Sequence, residues 1–172
     1  MTLELGCIGQ PSESWATTNI SGHLPDLHFS LVNDLGVPVT EANLRDKKVL
    51  LYFGYTGCGL QCPLILAHLA RLAEREKGTQ VVFVTVTPVL DPPPVLHAYL
   101  SQFGSGLVGL TGPTPDLENL ARQYRVAFPV GSGPDLPHGN LVYVFDGEGK
   151  ARLLVRLDDS DQAIRHDLSQ IE

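Results

Sequence analysis

Cys58 and Cys62, in the run Gly54-Tyr-Thr-Gly-Cys58-Gly-Leu-Gln-Cys62-Pro63, are two thiols four residues apart. They stand between an apolar stretch, Val49 to Tyr55, and a helix-like stretch, Leu64 to Glu76. Where a strand feeds a helix, that spacing sets both sulfurs at the helix N-terminus and on one face. The helix dipole and its unsatisfied N–H groups favour a thiolate there. Such a pair can exchange electrons as dithiol and disulfide, or it can hold a soft metal ion. Four residues on a helical turn separate the Cα atoms by roughly 6 Å, inside the disulfide range, so spacing alone leaves both chemistries open. A glycine-rich loop is a poor place for core, so the sulfurs are expected to be accessible. Cys58, at the exposed end of the loop, is then the attacking thiol and Cys62 the resolving one.

Holding two sulfurs in this way requires a strand before them and a helix after them. Val49-Leu-Leu-Tyr-Phe53 and Gln80-Val-Val-Phe-Val-Thr-Val86 are nearly continuous apolar and β-branched runs, the pattern of central strands covered on both faces. Between them Leu64, Leu66, Leu69, Leu72 and Ala73 recur at helical spacing, and Gly78 supplies the stop. The unit reads as β-α-β, with two parallel strands and a right-handed crossover. Upstream, the alternating run Leu27 to Val32 turns through Asn33-Asp-Leu-Gly36 into Val37-Pro-Val-Thr40, a β-hairpin.

Downstream the chain predicts a stiff loop over Thr87 to Pro94, a helix over Val95 to Phe103 and a short strand at Leu107 to Leu110. A helix over Asp116 to Tyr124 follows, with Thr114 or Asp116 as its cap. After a Gly- and Pro-rich loop from Phe128 to Pro137, Leu141 to Phe145 and Ala151 to Leu157 form a second hairpin, and Ser160 to Ile171 closes as a helix. Residues 1–23 lack periodicity and read as a flexible N-terminal arm, with Trp15 a tail residue. Residues 24–172 read as a single domain.

At 172 residues, with 43% hydrophobic and 18% charged content, the chain can bury one substantial core. The net charge of −7 comes with no basic block, only the pair Lys47-Lys48, which argues against nucleic-acid binding. No stretch is long and apolar enough to span a bilayer. Met1 to Gly22 holds no charged segment followed by an apolar one, so the protein is either cytosolic or has lost a leader or anchor. The count of three cysteines leaves Cys7 outside the pair. Gly6-Cys7 is similar to the end of a lipoprotein signal, but Glu4 stands where an aliphatic residue belongs, and Cys7 reads as a spare thiol in the arm.

A dithiol between the first central strand and its helix resembles the thioredoxin superfamily, and within it the Sco family (SenC, PrrC), copper-handling proteins of cytochrome c oxidase assembly. The matching residues are Leu24-Pro-Asp-Leu-His-Phe29, Leu31-Val-Asn-Asp-Leu-Gly36, Val39-Thr40 and Leu44-Arg-Asp-Lys47 ahead of Val49-Leu-Leu-Tyr-Phe-Gly-Tyr-Thr56. Cys58-x-x-x-Cys62-Pro63 matches the family motif, where ordinary thioredoxins have two intervening residues. Phe83-Val-Thr-Val86, Asp91-x-Pro93, Leu110-Thr-Gly112 and Tyr124-Arg-Val126 continue it. His138 stands five residues before Tyr143, where the family places its third copper ligand. Two departures remove carboxylates. Gly59-Leu60 replaces the usual Pro-Asp between the cysteines, and Val86-Thr87-Pro88 replaces Val-Asp-Pro after the second central strand.

The resemblance implies an α/β, thioredoxin-like fold, a central mixed sheet flanked by helices with an added N-terminal β-hairpin. It also implies a metal set of Cys58, Cys62 and His138. Thiolate and imidazole suit a copper ion, Cu(I) or, with water added, Cu(II). Zinc normally wants a fourth ligand, for which the sequence offers only Gln61 and His68. The implied role is a metallochaperone for the binuclear copper centre of cytochrome c oxidase, with that enzyme's copper-site subunit or another copper chaperone as partner. The competing role is a thiol–disulfide oxidoreductase acting on partner cysteines through Cys58 and Cys62, a role for which His138 has no use. A peroxidase would need an Arg near Thr56, and there is none in sequence. Asp91 is expected to organise the loop beside the site. By the same resemblance the protein is a monomer in the periplasm, membrane-anchored in its full-length form.

Overall fold

The structure, a computed structural model, describes residues 14–127 and 140–171. Its centre is three parallel strands, β4 (Lys48–Gly54), β5 (Thr79–Thr85) and β6 (Leu107–Thr111). They are joined through α1 (Gln61–Arg75) and α2 (Pro93–Leu100). Leu50, Leu51, Tyr52, Val81, Val82 and Phe83 are fully buried, as continuous apolar strands require. The hairpin β2 (Ser30–Asn33) and β3 (Pro38–Thr40) extends one edge, β2 pairing antiparallel with β6. The second hairpin, β7 (Leu141–Phe145) and β8 (Ala151–Arg156), lies on the other side, β7 antiparallel to β4. With β1 (Thr18–Asn19) the sheet has eight strands in the order β1-β8-β7-β4-β5-β6-β2-β3. The expected mixed sheet and N-terminal hairpin are both present.

Strand alternation divides the aromatic core between the two faces. Tyr52 and Phe83, paired in register, meet Tyr99 of α2 and then Phe103 on the α1–α2 face, with ring centroids 5.4–6.0 Å apart. Phe53, Tyr143 and Phe145 pack with Tyr124, just beyond α3 (Thr114–Gln123), on the opposite face. The Tyr143 hydroxyl donates to the Tyr124 carbonyl at 2.7 Å, tying that helix end to the sheet. Gly109 of β6 has no room for a side chain, because a Cβ there would lie 2.6 Å from Leu96 of α2.

Several boundary readings change, among them those of three helices. α1 begins at Gln61 rather than Leu64, which places Cys62 and Pro63 inside its first turn, where proline costs no hydrogen bond. α3 begins after Pro113 with no side-chain cap, so Thr114 and Asp116 are first-turn residues. The closing helix α4 (Asp161–Leu168) is capped by Ser160, whose hydroxyl accepts from the Ala163 N–H at 3.2 Å.

The arm reading fails over its described part. Thr18 and Asn19 pair with Leu154 and Leu153 of β8, and Ile20 is buried. Trp15 lies under the Arg152 guanidinium, 5.9 Å from ring centroid to carbon. The buried carboxylate of Asp167 in α4 accepts from the Ala16 N–H, the Thr17 N–H and the Thr17 hydroxyl at 2.6–3.1 Å. A two-residue strand carries no periodicity, and an acceptor 150 residues away in sequence leaves no local trace. Asp167→Ala strands those donors and should cost about 2–3 kcal/mol, the upper range for hydrogen bonds to a charged group. Urea unfolding of the variant against wild type measures it.

Candidate functional site

β4 ends at Gly54, and the chain turns through Tyr55 to Leu60 before α1. The Val86 N–H donates to the Gly54 carbonyl at 2.8 Å, so the segments leaving the parallel strands β4 and β5 start side by side. A tight turn, Cys58 N–H to Tyr55 carbonyl at 3.2 Å, folds the first cysteine back over the strand end. In α1 the Cys62 N–H, one of the helix's unsatisfied first-turn donors, points at the Cys58 sulfur at 3.4 Å. The two thiols are therefore brought together as the spacing predicts, and no disulfide joins them to each other.

Their burial is the main surprise. Cys58 is 6% exposed and Cys62 0%, and both belong to the hydrophobic core, against the expectation of accessible sulfurs. Gly54 explains it. A Cβ at that position would lie 2.9 Å from the Cys62 sulfur and 2.8 Å from the Phe83 ring, so the missing side chain is the space the sulfur occupies. From beneath, the Tyr52 hydroxyl donates to the same sulfur at 3.4 Å.

Burial also reverses the expected electrostatics at Cys62. Desolvation, then the hydrogen bond and charge of Cys58, push its pKa up to about 12, while the bonds from Tyr52 and the Tyr55 backbone pull the other way. A helix N-terminus is too weak a field to offset the loss of water. Tyr52 and Tyr99 are raised as well, by burial first and then by the neighbouring sulfurs.

The second organising group is Asp91, fully buried between the two loops. It accepts from the Thr56 N–H at 3.2 Å and from the hydroxyls of Thr56, Thr85 and Thr87 at 2.5–3.0 Å. The Thr85 hydroxyl also accepts from the Thr87 N–H at 3.0 Å, and the Leu90 and Asp91 N–H groups close onto the Thr87 carbonyl. Asp91 thus organises its loop, as expected, and further fastens it to the loop that carries Cys58. Around this centre the surface is apolar, with Leu60 and Val89 84% and 87% exposed.

His68 faces Asp161 at 3.5 Å, His97 pairs with Asp34 at 2.7 Å and His28 with Glu41 at 3.1 Å, each with a carboxylate partner. His138, Cys7 and the loop Phe128 to Pro137 lie outside the described residues. Among the described residues no group of three His, Cys, Asp or Glu side chains forms a metal set. β7 runs antiparallel to β4 with Tyr52 opposite Val142, so Asn140, two residues earlier, enters the sheet level with Gly54. Two contributors escaped sequence reasoning, Tyr52 and the threonines around Asp91. The signal for Tyr52 was available, because it shares a strand face with Gly54 two residues on.

The eight-stranded sheet with a dithiol at the start of its first crossover helix is thioredoxin-like. The profile of the SCO1/SenC family matches residues 19–171, and the chain belongs to that family. Protein SCO1 homolog 1 of Arabidopsis thaliana, a mitochondrial protein, is 41% identical over 105 residues, 58% of this chain and 31% of its own length. Mitochondrial SCO1 of Saccharomyces cerevisiae is 35% identical over 133 residues, 71% of this chain and 45% of its own, so the chain spans less than half of either relative. Arabidopsis ScoI, solved with copper bound, superposes with a TM-score of 0.77 at 31% identity, covering 84% of this chain and 96% of that one. Apo Sco1 of Thermus thermophilus gives 0.76 at 28% identity, covering 94% and 99%.

Two outcomes follow. Cys62 should react with iodoacetamide at pH 8 at least about a hundredfold more slowly than an unperturbed cysteine, read by mass spectrometry of the alkylated peptides. A thiol whose folded pKa is raised is stabilised while protonated, so the native state binds the extra proton between the two pKa values. The Cys62 contribution is then fully present below pH 9.0 and lost as pH rises toward about 12. The buried tyrosines act in the same direction. Urea midpoints taken from pH 8 upward should fall, and a flat profile would contradict the burial argument.

Proposed function

We propose that the chain binds one copper ion through Cys58, Cys62 and His138 and hands it to a partner, as a metallochaperone for the binuclear copper centre of cytochrome c oxidase. The observation that carries this reading is the converged pair of soft ligands in a chain of the SCO1/SenC family. Two thiolates and one imidazole satisfy Cu(I), which accepts low coordination numbers. The entry of β7 beside the end of β4 supports the third ligand. His138 stands two residues before Asn140 in the sequence. Copper is cargo here, so a three-ligand site that a recipient can invade suits release.

Loading displaces both thiol protons, and the raised Cys62 pKa makes that displacement costly. Affinity should therefore fall as pH drops. The recipient is a copper-site subunit of the oxidase or another copper chaperone. The place of action is the periplasm or its mitochondrial counterpart, with the full-length protein held at the membrane. No helix among the described residues is long and apolar enough to cross a membrane.

A second reading uses the same sulfurs as a dithiol reductant. The Cys58 thiolate attacks a partner disulfide, the Cys62 thiolate displaces the partner's second thiol, and two electrons pass to the partner as the internal disulfide closes. The approach of the Cys62 N–H to the Cys58 sulfur favours it, because ring closure then needs no refolding. Anaerobic titration with Cu(I) against a competing chelator separates the two. The chaperone reading expects one equivalent bound tightly, with His138→Ala losing at least about tenfold, or 1.4 kcal/mol. An unchanged affinity in that variant moves the assignment to thiol exchange or to a two-thiolate copper site.

A further inference from the structure

We propose that Tyr52 is a positioning residue for the dithiol, its phenol donating to the Cys62 sulfur so as to fix that atom and draw electron density from it. The copper half of this inference rests on the function proposed above; the thiol half does not.

A phenol buried as completely as that of Tyr52 needs a hydrogen-bond partner, and its partner is the Cys62 sulfur at 3.4 Å. Tyr52 and Gly54 lie on the same face of β4, two residues apart, so the notch above Gly54 lets the sulfur settle within reach of the hydroxyl. The neighbouring Tyr99 supplies the internal contrast. It packs, tilted, against the same Phe83 ring, 6.0 Å from centroid to centroid as Tyr52 does, and its hydroxyl is buried with no hydrogen-bond partner among the described residues. Two buried phenols flank one ring, and only the one on the strand reaches the sulfur.

The bond is made to the Cys62 sulfur where the dithiol places it, whereas a disulfide must draw the two sulfurs to about 2.05 Å; a metal thiolate, for its part, accepts a hydrogen bond far better than a disulfide sulfur does. The bond therefore favours the reduced pair over the oxidised one, and metal thiolate over disulfide. It also stabilises the sulfur orbital that donates to a bound metal.

Tyr52→Phe and Tyr99→Phe each delete one buried oxygen and keep the ring, so their difference isolates the sulfur bond from the loss of a core phenol. In the first arm the full chain, free of copper, is equilibrated with glutathione and glutathione disulfide. The dithiol gives up two electrons and two protons to form its disulfide, while glutathione disulfide becomes two glutathiones. Tyr52→Phe should shift this equilibrium toward the protein disulfide by about threefold or more, about 14 mV, and Tyr99→Phe should not. In the second arm the Cu(II)-loaded protein is examined by absorption. The sulfur-to-copper charge-transfer band should move to lower energy in Tyr52→Phe and stay in place in Tyr99→Phe.

Equal behaviour of the two variants in the glutathione arm overturns the proposal. If wild type takes up no copper, the chaperone reading fails and the glutathione arm still decides Tyr52. If Tyr52→Phe does not fold, the wild-type Tyr52 hydroxyl proton decides by NMR. It should be protected from exchange and move on disulfide formation; rapid exchange in the dithiol state overturns the assignment.

Discussion

The fit of the Cys62 sulfur into the space left by Gly54 is the contact on which the site depends. A strand end is normally where side chains begin to splay into solvent. Here the absent side chain lets the helix lean onto the sheet until the sulfur fills the space above Gly54, where a Cβ would also run into the Phe83 ring. That single contact fixes the register of α1 on β4, and with it the direction in which the Cys62 N–H points. Once Cys62 is seated, the turn at Tyr55 leaves the Cys58 sulfur against the helix's first unsatisfied donor. Convergence of the two sulfurs is thus a consequence of packing beneath them.

Burying the pair would leave the loop above with little to hold it, and Asp91 answers that need. Its carboxylate gathers donors from the strand end of β5, from Thr87 beyond it and from Thr56 on the cysteine loop. A buried carboxylate is tolerable only when its lone pairs are met, and four donors meet them. This gives the departures from the family pattern a physical sense. At position 87, where the family pattern has an acid beside the matching Asp91-x-Pro93, the Thr87 hydroxyl instead donates to Asp91 at 3.0 Å. Thr87 converts that position from a second acid into a donor. Leu60 makes the matching change outside, an exposed apolar side chain where the family carries an acid. Near the sulfurs, then, the described structure keeps its negative charge sealed in the core.

The elements that carry the site were readable because their signals are local. Continuous apolar runs gave β4 and β5, helical spacing gave α1, and the order of motifs from Leu24 to Leu157 pointed to the family. What escaped were relations between distant residues. Periodicity cannot see that Asp167 receives the backbone at Ala16 and Thr17, so in sequence alone residues 1–23 read as a flexible arm. A glycine-rich loop suggested exposure because composition reports flexibility; it does not report that one of the glycines is a socket. The thiolate-favouring helix end was a sound local argument, overruled by desolvation that only the folded chain supplies.

The two sulfurs are consequently unequal, and the inequality bears on both readings of the function. Cys62 is fully buried above Gly54 and held by Tyr52, whereas Cys58 retains a little exposure and rests on a turn. An incoming thiol or ligand meets Cys58 first. For metal transfer this orders the exchange, since the recipient must displace Cys58 before it can compete with the anchored sulfur. For thiol exchange it assigns the mixed disulfide to Cys58 and leaves Cys62 to resolve it. That second step is slowed by the small thiolate fraction at the buried position. The difference between the two sulfurs thus comes from burial, which raises the pKa at Cys62.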